Sequence, residues 1–593
     1  MVKREGYKVN NIYQGGYSSL DPNTYSPTGI YTGFRIPAGQ LGAPTKADTA
    51  NQIAQVNMLL NQGIIPIEVG ALNPEVFDAI PKEHFKEINR MAKLTGADIS
   101  VHAPLIEASG VTDQGWDESS RQLAERQLKE MVDRTSPMNE KGGMSITIHG
   151  AVKIPGKEYI ITPEGKKEER IYIIDSESGK MGALKEEIKY LPGMEDLEKG
   201  KISSPRKELE TLNATQWENA LSQLMHHKED AEIILQKNIG LLSPQDIDDL
   251  IKHPERVSAL TTQKRAEYER IRTASYFIQD AYQNLNGLFN KAYKSALNAG
   301  NEEDLKKLKK ANEKLREDLK KYPGPQGQSL AISNMITALE KVEPKTYQEL
   351  EEFTLDKSAK TFANVAFHAF KNYKDKAPRI NIENFHPGSA YANSEDLKKL
   401  IVKSRKEFID KAVSQGYSES QAQKEAERII GVTLDVGHLN MWRKKGFTEK
   451  ELLEEVKNIS GFVKHVHLTD NFGYGDTHLP PGMGNVPMKE IMEELEKKGY
   501  EGKKIVEAPG WPQHFGTSPF PYTLEAFGSE IYKGGLTWNQ TPGLIESYSG
   551  GFGQMLPQVH YETFGAGFSQ LPAELGGVRA GAQGSRMSGK PME

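Results

Sequence analysis

Short apolar runs rich in β-branched residues recur along the chain, and turn residues flank each of them. Most runs are followed by a segment whose apolar residues recur at helical spacing. We interpret eight runs as strands: YTGFRI (31–36), IIPIEV (64–69), ADISVH (97–102), SITIHG (145–150), RINIEN (379–384), GVTLDV (431–436), FVKHVHL (462–468) and KKIVEA (503–508). Eight strand–helix repeats of this length predict an α/β fold, the (β/α)8 TIM barrel.

Roughly 200 residues separate the fourth and fifth predicted strands, far more than an ordinary connection needs. This segment begins with a predicted hairpin at 156–175 and continues with amphipathic helices. Beyond about residue 520 the chain is rich in glycine and shows no helical or strand periodicity. We therefore predict the first half of the barrel at 1–151, an inserted hairpin and helical subdomain at 152–357, the second half of the barrel at 358–520, and an irregular Gly-rich C-terminal extension at 521–593.

Composition restricts the classes of function that remain. A hydrophobic content of 37% and a charged content of 26% are typical of a globular protein. No run of about 18 apolar residues and no signal-peptide pattern appears, so we expect a cytoplasmic protein without a membrane partner. The net charge of −6 gives no general attraction to nucleic acid. The chain has no cysteine, so any metal must be held by His, Asp and Glu, a ligand set suited to Zn, Mn or Fe.

Histidines and acidic residues stand at or just after the ends of six predicted strands. In a TIM barrel the carboxyl ends of all strands open onto one face, where active sites are built. A single such residue is more often structural than a ligand, but six strand ends of this kind together indicate a metal site. The nine candidate ligands are His102, His149, Glu383, Asp435, His438, His467, Asp476, His478 and Glu507.

The alternation of side chains along the strands predicts how close further polar residues lie to this site. His465 and His467 point to the same side of their strand, and His467 lies nearer the mouth of the barrel. We expect His465 to be buried one layer below and Asp470 to orient a ligand imidazole. Glu68, at the end of the second strand, is expected to face the mouth, either as a contact to substrate or ligand or in a structural ion pair.

Seven motifs carry a resemblance to a known family: SVHAPL, TIHGA, NIENF, LDVGH, VHLTD, GDTHLPPGMGNVP and IVEAPGW, in this order. They resemble the endonuclease IV / xylose isomerase-like TIM-barrel superfamily, the AP endonuclease family 2, over roughly 30–150 and 360–515. Endonuclease IV enzymes hold three zinc ions and cleave DNA beside abasic sites. The resemblance therefore implies a metal-dependent phosphodiester hydrolase, an abasic-site DNA endonuclease of DNA repair.

The resemblance also implies which residues hold the ions. His102, His149 and Glu383 would hold one zinc, and Glu383 would bridge to a second, completed by Asp435, His467 and Glu507. His438, Asp476 and His478 would hold the third. Two departures stand out: Leu105 occupies a position that is aromatic in endonuclease IV, and the loops lack a clear set of Arg and Lys residues able to follow several phosphates.

Sugar isomerases and epimerases of the same superfamily give the alternative. They keep a four-ligand subset, here Glu383, Asp435, His467 and Glu507, on one Mn, Mg or Co ion. In that case Glu383 and Glu507 would be the catalytic acid and base on a small sugar substrate. A third hypothesis is a binding protein that acts through its insertion. The sequence leaves open the substrate, the identity and number of the metal ions, the role of the insertion and the oligomeric state.

Overall fold

The computed structural model describes residues 36–527 apart from 37, 71, 163–164, 191, 194–197, 238–239, 299, 323–324 and 517. Residues 31–35 of the first predicted strand and the C-terminal extension beyond 527 lie outside the described residues. The described chain divides into two compact units. One contains the residues up to 172, residues 179–181 and the residues from 349 onward, and the other contains 173–178 and 182–348.

Eight parallel strands close into a barrel, which confirms the predicted TIM-barrel fold. They are β1 (Leu41–Pro44), β2 (Pro66–Gly70), β3 (Asp98–His102), β4 (Ser145–His149), β5 (Arg379–Glu383), β6 (Ile430–Asp435), β7 (Val463–Leu468) and β8 (Lys504–Val506). Their order around the barrel follows the chain, with β8 against β1. Strands β4 and β5 pair directly in spite of the insertion, and His149 stands beside Glu383 in their register.

The prediction of the first strand at 31–36 is wrong. The strand that closes the barrel is β1, where Gly42 pairs with Ile505 of β8 and Ala43 pairs with Ile67 of β2. Its sequence LGAP looks like a turn, because glycine and proline are rare in strands. Gly42 is required there, since an added Cβ would lie 2.4 Å from the carbonyl oxygen of Pro66. The other seven predicted strands differ from the observed ones by no more than two residues at either end.

The helices around the barrel bury apolar faces against the strands. The helix Glu449–Ile459 begins with a capping box formed by Thr448 and Glu451 and buries Leu452, Val456 and Ile459 at helical spacing. The other helices of this unit are Gln52–Asn61, Pro74–Ala79, Lys82–Thr95, Glu118–Thr135, Leu350–Tyr373, Ser394–Ser414, Glu419–Ile429, Val436–Asn440, Met488–Lys497, Gly510–Phe515 and Phe520–Ala526.

The segment between β4 and β5 begins with an antiparallel hairpin of Glu158–Thr162 and Gly165–Asp175. Short strands follow at Met181–Lys185, Glu187–Lys189, Lys201–Ser203 and Tyr347–Glu349, with helices Pro205–Gln236, Pro244–Lys252, Thr262–Asn298, Glu302–Lys321 and Pro325–Leu339. Helix Glu302–Lys321 buries only Leu308 and Leu315. Its remaining charged face carries ion pairs such as that between Lys307 and Glu303. In the described part of the chain, no helix has both the length and the apolar character needed to cross a bilayer.

Candidate metal centre

The carboxyl ends of β3 to β8 and the loops that follow them bring all nine candidate ligands together in three groups. Within each group, one donor atom from every member lies within 4.8 Å of the others. The first group is His102, His149 and Glu383, the second is Glu383, Asp435, His467 and Glu507, and the third is His438, Asp476 and His478. Two further combinations meet the same distance limit and overlap the second group: His102, His467 and Glu507, and Glu68, His465 and His467.

In the first group, one carboxylate faces two imidazoles. Oε2 of Glu383 lies 3.3 Å from Nε2 of His102 and 3.3 Å from Nε2 of His149, and all three side chains are buried. Burial opposes a charge on His102, but the neighbouring Glu383 raises the pKa of His102 to about 9. Burial outweighs the attraction of Glu383 at His149 and lowers the pKa of His149 to about 3. His149 is therefore neutral, the form in which an imidazole binds a metal.

In the second group, the imidazole of His467 stands between two glutamates. Its Nδ1 lies 2.8 Å from Oε1 of Glu383 and 3.1 Å from Oε2 of Glu507. Oδ1 of Asp435 accepts hydrogen bonds from the backbone N–H of His438 and from the hydroxyl of Thr469, both at 2.8 Å. Burial raises the pKa of Asp435.

In the third group, Oδ2 of Asp476 accepts hydrogen bonds from Nε2 of His438 at 3.2 Å and from Nε2 of His478 at 2.9 Å. The opposite nitrogen of each ring lies near a backbone carbonyl: Nδ1 of His438 is 3.0 Å from the oxygen of Asn384, and Nδ1 of His478 is 3.1 Å from the oxygen of Glu507. Each ring therefore donates from both nitrogens in the metal-free protein. When the Nε2 proton leaves, the carbonyl keeps the proton on Nδ1, and Nε2 can offer its lone pair to a cation.

The donor atoms fit a divalent cation. Oδ2 of Asp435 is buried and makes no hydrogen bond with any described residue. A buried carboxylate oxygen without a partner is costly, and a bound cation would remove that cost. Imidazole nitrogens and carboxylate oxygens are ligands of Zn, Mn and Fe. Residues of the three groups could therefore hold divalent ions.

Two further polar residues have defined contacts near the three groups. The carboxylate of Asp470 accepts hydrogen bonds from the backbone N–H groups of Asn471, Gly482 and Val486 and so organises the loop after β7; its expected role in orienting an imidazole stays a prediction. Glu68 lies in the middle of β2 and is fully buried, below the rim at which it was expected, but its carboxylate contacts His465 and the candidate ligand His467, so the expected contact to a ligand is present.

Sequence reasoning missed two residues that follow Glu383 directly. The side-chain amide of Asn384 bonds to both the N–H and the carbonyl of Asp435, each at 2.9 Å, and so joins β5 to β6. The ring of Phe385 packs edge-on against His149, with a centroid distance of 4.6 Å, and lies 5.5 Å from His438. Their position immediately after a ligand at a strand end is the signal that could have identified them.

Comparison with known proteins agrees with this fold. Residues 378–519 match the family model of the xylose isomerase-like TIM barrel. The chain is 38% identical over 78 residues to the uncharacterized protein MJ1311 of Methanocaldococcus jannaschii, which is 13% of this chain and 25% of that protein. It is 42% identical over 45 residues to the fructoselysine 3-epimerase of Shigella flexneri, which is 8% of this chain and 16% of that protein. The matches thus span a quarter or less of these relatives.

Comparison with solved structures finds a D-tagatose 3-epimerase-like protein. It is 13% identical, the likeness covers 79% of this chain and 90% of that one, and the TM-score is 0.34. The D-psicose 3-epimerase of Clostridium cellulolyticum is 9% identical, with 78% and 83% covered and a TM-score of 0.33. Scores at this level carry no argument about function.

Proposed function

This chain contains a xylose isomerase-like TIM barrel, and we propose that it is a metal-dependent hydrolase of phosphodiesters with as many as three divalent ions, zinc above all, at the mouth of the barrel. One observation carries the proposal: His438, Asp476 and His478 form a third donor group in addition to the four-ligand group. A single ion needs only the four-ligand group, whereas a hydrolase with three ions would use the third group as well.

The chain's own residues supply the framework for such chemistry. Divalent ions, when bound, stabilise negative charge on a phosphoryl group and lower the pKa of water. Glu383 belongs to the first two groups, with Oε2 near His102 and His149 and Oε1 near His467. A single carboxylate therefore ties both groups to the end of β5.

The third group is the most open to solvent. The side chains of Asp476 and His478 are 26% and 25% exposed, whereas those of Glu383 and His467 are only 1% and 0% exposed. A substrate that enters from solvent would meet the third group first. Asp476 has its pKa lowered by its hydrogen bonds to His438 and His478, in spite of burial, and it is therefore an anion in the metal-free protein.

Abasic DNA is the substrate that the resemblance to endonuclease IV implies. Leu105, at the position that is aromatic in that family, is 38% exposed and offers apolar contact without a ring for stacking. Recognition of abasic DNA therefore does not follow from hydrolysis of a phosphodiester, and each property needs its own assay.

A sugar epimerase is the second candidate, because specific observations favour it. The relatives with a named activity are epimerases, and the short match to fructoselysine 3-epimerase is 42% identical. Glu383, Asp435, His467 and Glu507 also suffice for a single ion. In this case Glu383 and Glu507 would act as acid and base on a sugar carbon, and the comparisons favour this candidate over the hydrolase.

The two candidates differ in metal content and in their response to Asp476→Asn. We expect purified protein to bind close to three zinc ions, to nick an abasic duplex or cleave bis(p-nitrophenyl) phosphate, and to lose this activity on Asp476→Asn. Asp113→Asn, an 82% exposed carboxylate, is the matched control and should change nothing. About one ion per chain, with ketose epimerisation that survives Asp476→Asn, would overturn the hydrolase and support the epimerase.

A further inference from the structure

Glu68 is a buried carboxylate one layer below the three donor groups. It lies in the middle of β2, opposite Ser100 of β3, and its side chain is 0% exposed. Its Oε2 accepts hydrogen bonds from the hydroxyl of Ser100 and from Nε2 of His465, both at 2.9 Å. These two bonds fix the carboxylate on one side.

The other oxygen of Glu68 faces a candidate ligand. Oε1 lies 2.9 Å from Nε2 of His467. The opposite nitrogen of this ring, Nδ1, faces Glu383 and Glu507 of the second group. The imidazole of His467 is thus held between a carboxylate below and the candidate ligands above.

We infer that Glu68 is a positioning residue for the metal centre. It keeps the ring of His467 with Nε2 toward Glu68 and Nδ1 toward Glu383 and Glu507. The inference rests on the metal centre of the proposed function, but it does not depend on which reaction occurs there. Glu68 itself does not touch the substrate.

The chemistry of imidazole explains the arrangement. A neutral imidazole carries its proton on one nitrogen and a lone pair on the other, and only the lone pair binds a metal. In the metal-free protein both nitrogens of His467 face carboxylates. With a cation bound on the side of Glu383 and Glu507, the carboxylate of Glu68 would keep the proton on Nε2, and Nδ1 would offer its lone pair to the cation. Because His465 and Ser100 hold Oε2, Glu68 cannot rotate away from His467.

A purely structural ion pair predicts a different behaviour. If Glu68 only satisfied His465 and Ser100, its loss would affect folding stability and leave the affinity for metal unchanged. If it positions His467, its loss would weaken one ion selectively. Carboxylates behind metal-bound histidines typically contribute roughly 10- to 100-fold to metal affinity.

The decisive variant is Glu68→Gln. A glutamine whose oxygen keeps the bonds from Ser100 and His465 places a neutral NH2 group, and no negative charge, beside Nε2 of His467. We expect the affinity for one zinc or cobalt ion, measured by competition with a chelator, to fall roughly 10- to 100-fold. The absorption of the cobalt-substituted second group should change at the same time. Unchanged affinity in a folded Glu68→Gln protein would overturn the inference.

Two further variants keep the test valid if Glu68→Gln does not fold. Ser100→Ala removes one bond to Oε2 and leaves His465 in place, so it serves as the matched control with nearly normal affinity. His465→Asn withdraws the second support and should weaken the same ion by an intermediate factor. Equal metal affinity in the wild type, Ser100→Ala and His465→Asn would count against a positioning role.

The outcomes separate this inference from the proposed function. If wild-type protein binds no divalent ion, both are wrong. If Glu383→Gln loses metal and Glu68→Gln does not, only the inference about Glu68 fails. If Glu68→Gln weakens metal binding and the wild type cleaves no phosphodiester, Glu68 keeps its role and the proposed reaction is wrong.

Discussion

Nδ1 of His467 lies 2.8 Å from Oε1 of Glu383, across 84 positions of sequence. The contact joins the ends of β7 and β5, with Asp435 at the end of β6 between them. Both side chains are buried, at 0% and 1% exposure. Glu383 is thereby shared by the first and second donor groups, and its removal should affect both.

Glu383→Gln should reduce bound metal by more than one ion per chain, because an amide is a poorer ligand than a carboxylate in both groups. Activity should fall roughly a hundredfold or more, since metal ions contribute several kcal/mol to stabilising the transition state. Elemental analysis and kcat/KM measure the two effects. Glu87→Gln, a part-exposed carboxylate of the helix Lys82–Thr95 that pairs with Arg90, is the control. A Glu383→Gln protein with a full complement of metal would contradict the shared role.

Gly437→Ala should distort the second donor group. An added Cβ would lie 1.9 Å from the hydroxyl oxygen of Thr469, which donates a hydrogen bond to Asp435. We expect a loss of about 1–3 kcal/mol in the free energy of unfolding, as overpacked sites show, together with weaker metal binding. Urea unfolding and zinc titration measure both. Gly461→Ala, where no described atom lies within 4 Å of the added Cβ, should be close to neutral.

Metal affinity should depend on pH in a definite direction. Burial opposes charge on His102 and His438, but Glu383 raises the pKa of His102 to about 9, and Asp435 and Asp476 raise that of His438 to about 10. Both imidazoles are therefore protonated on both nitrogens, as imidazolium ions, at pH 7 in the metal-free protein. A cation must displace one of the two protons from each ring that it binds. Affinity should rise with pH up to about 9–10, by as much as about tenfold per unit for each proton displaced.

Calorimetry in two buffers of different ionisation enthalpy counts the protons released on zinc binding. Release of at least one proton per chain at pH 7 is expected. Zinc affinity that is constant between pH 6 and 8 would show that these imidazoles are not ligands.

Glu351→Gln should stabilise the protein at high pH. Burial, and then the nearby Asp396, raise the pKa of Glu351 to about 7. The folded state therefore binds this proton more tightly than the unfolded state, so stability decreases as pH rises from about 4.5 to 7. At pH 8 the variant should gain on the order of 3 kcal/mol, and at pH 4 it should gain nothing. Urea unfolding at both values tests this, with exposed Glu352→Gln as control.

Most of the barrel was predictable because its strands are buried and contain short runs rich in β-branched and other apolar residues. Strand β5, RINIE, and strand β6, IGVTLD, have this character. Strand β1 does not: in LGAP the strand is defined by pairing to β8 and β2, which is a property of the closed barrel and not of the local sequence. Local propensity therefore misplaced it.

The position of the candidate site was predictable for a similar reason, since parallel strands bring all their carboxyl ends to one rim. The depth of a side chain below that rim was not. Glu68 precedes the end of β2 by two residues, and this offset places it below the donor groups. The loop role of Asp470 depends on backbone N–H groups of a long turn, which residue spacing does not reveal.

The pairing of β4 with β5 has a consequence for synthesis on the ribosome. His149 and Glu383 are neighbours in the sheet, but roughly 230 residues must be translated between them. At 5–20 residues per second this takes on the order of tens of seconds. During that interval the outer edge of β4 has unpaired backbone groups, which favour pairing with other nascent chains. The half-made sheet therefore stays open to association with other chains until β5 has been synthesised.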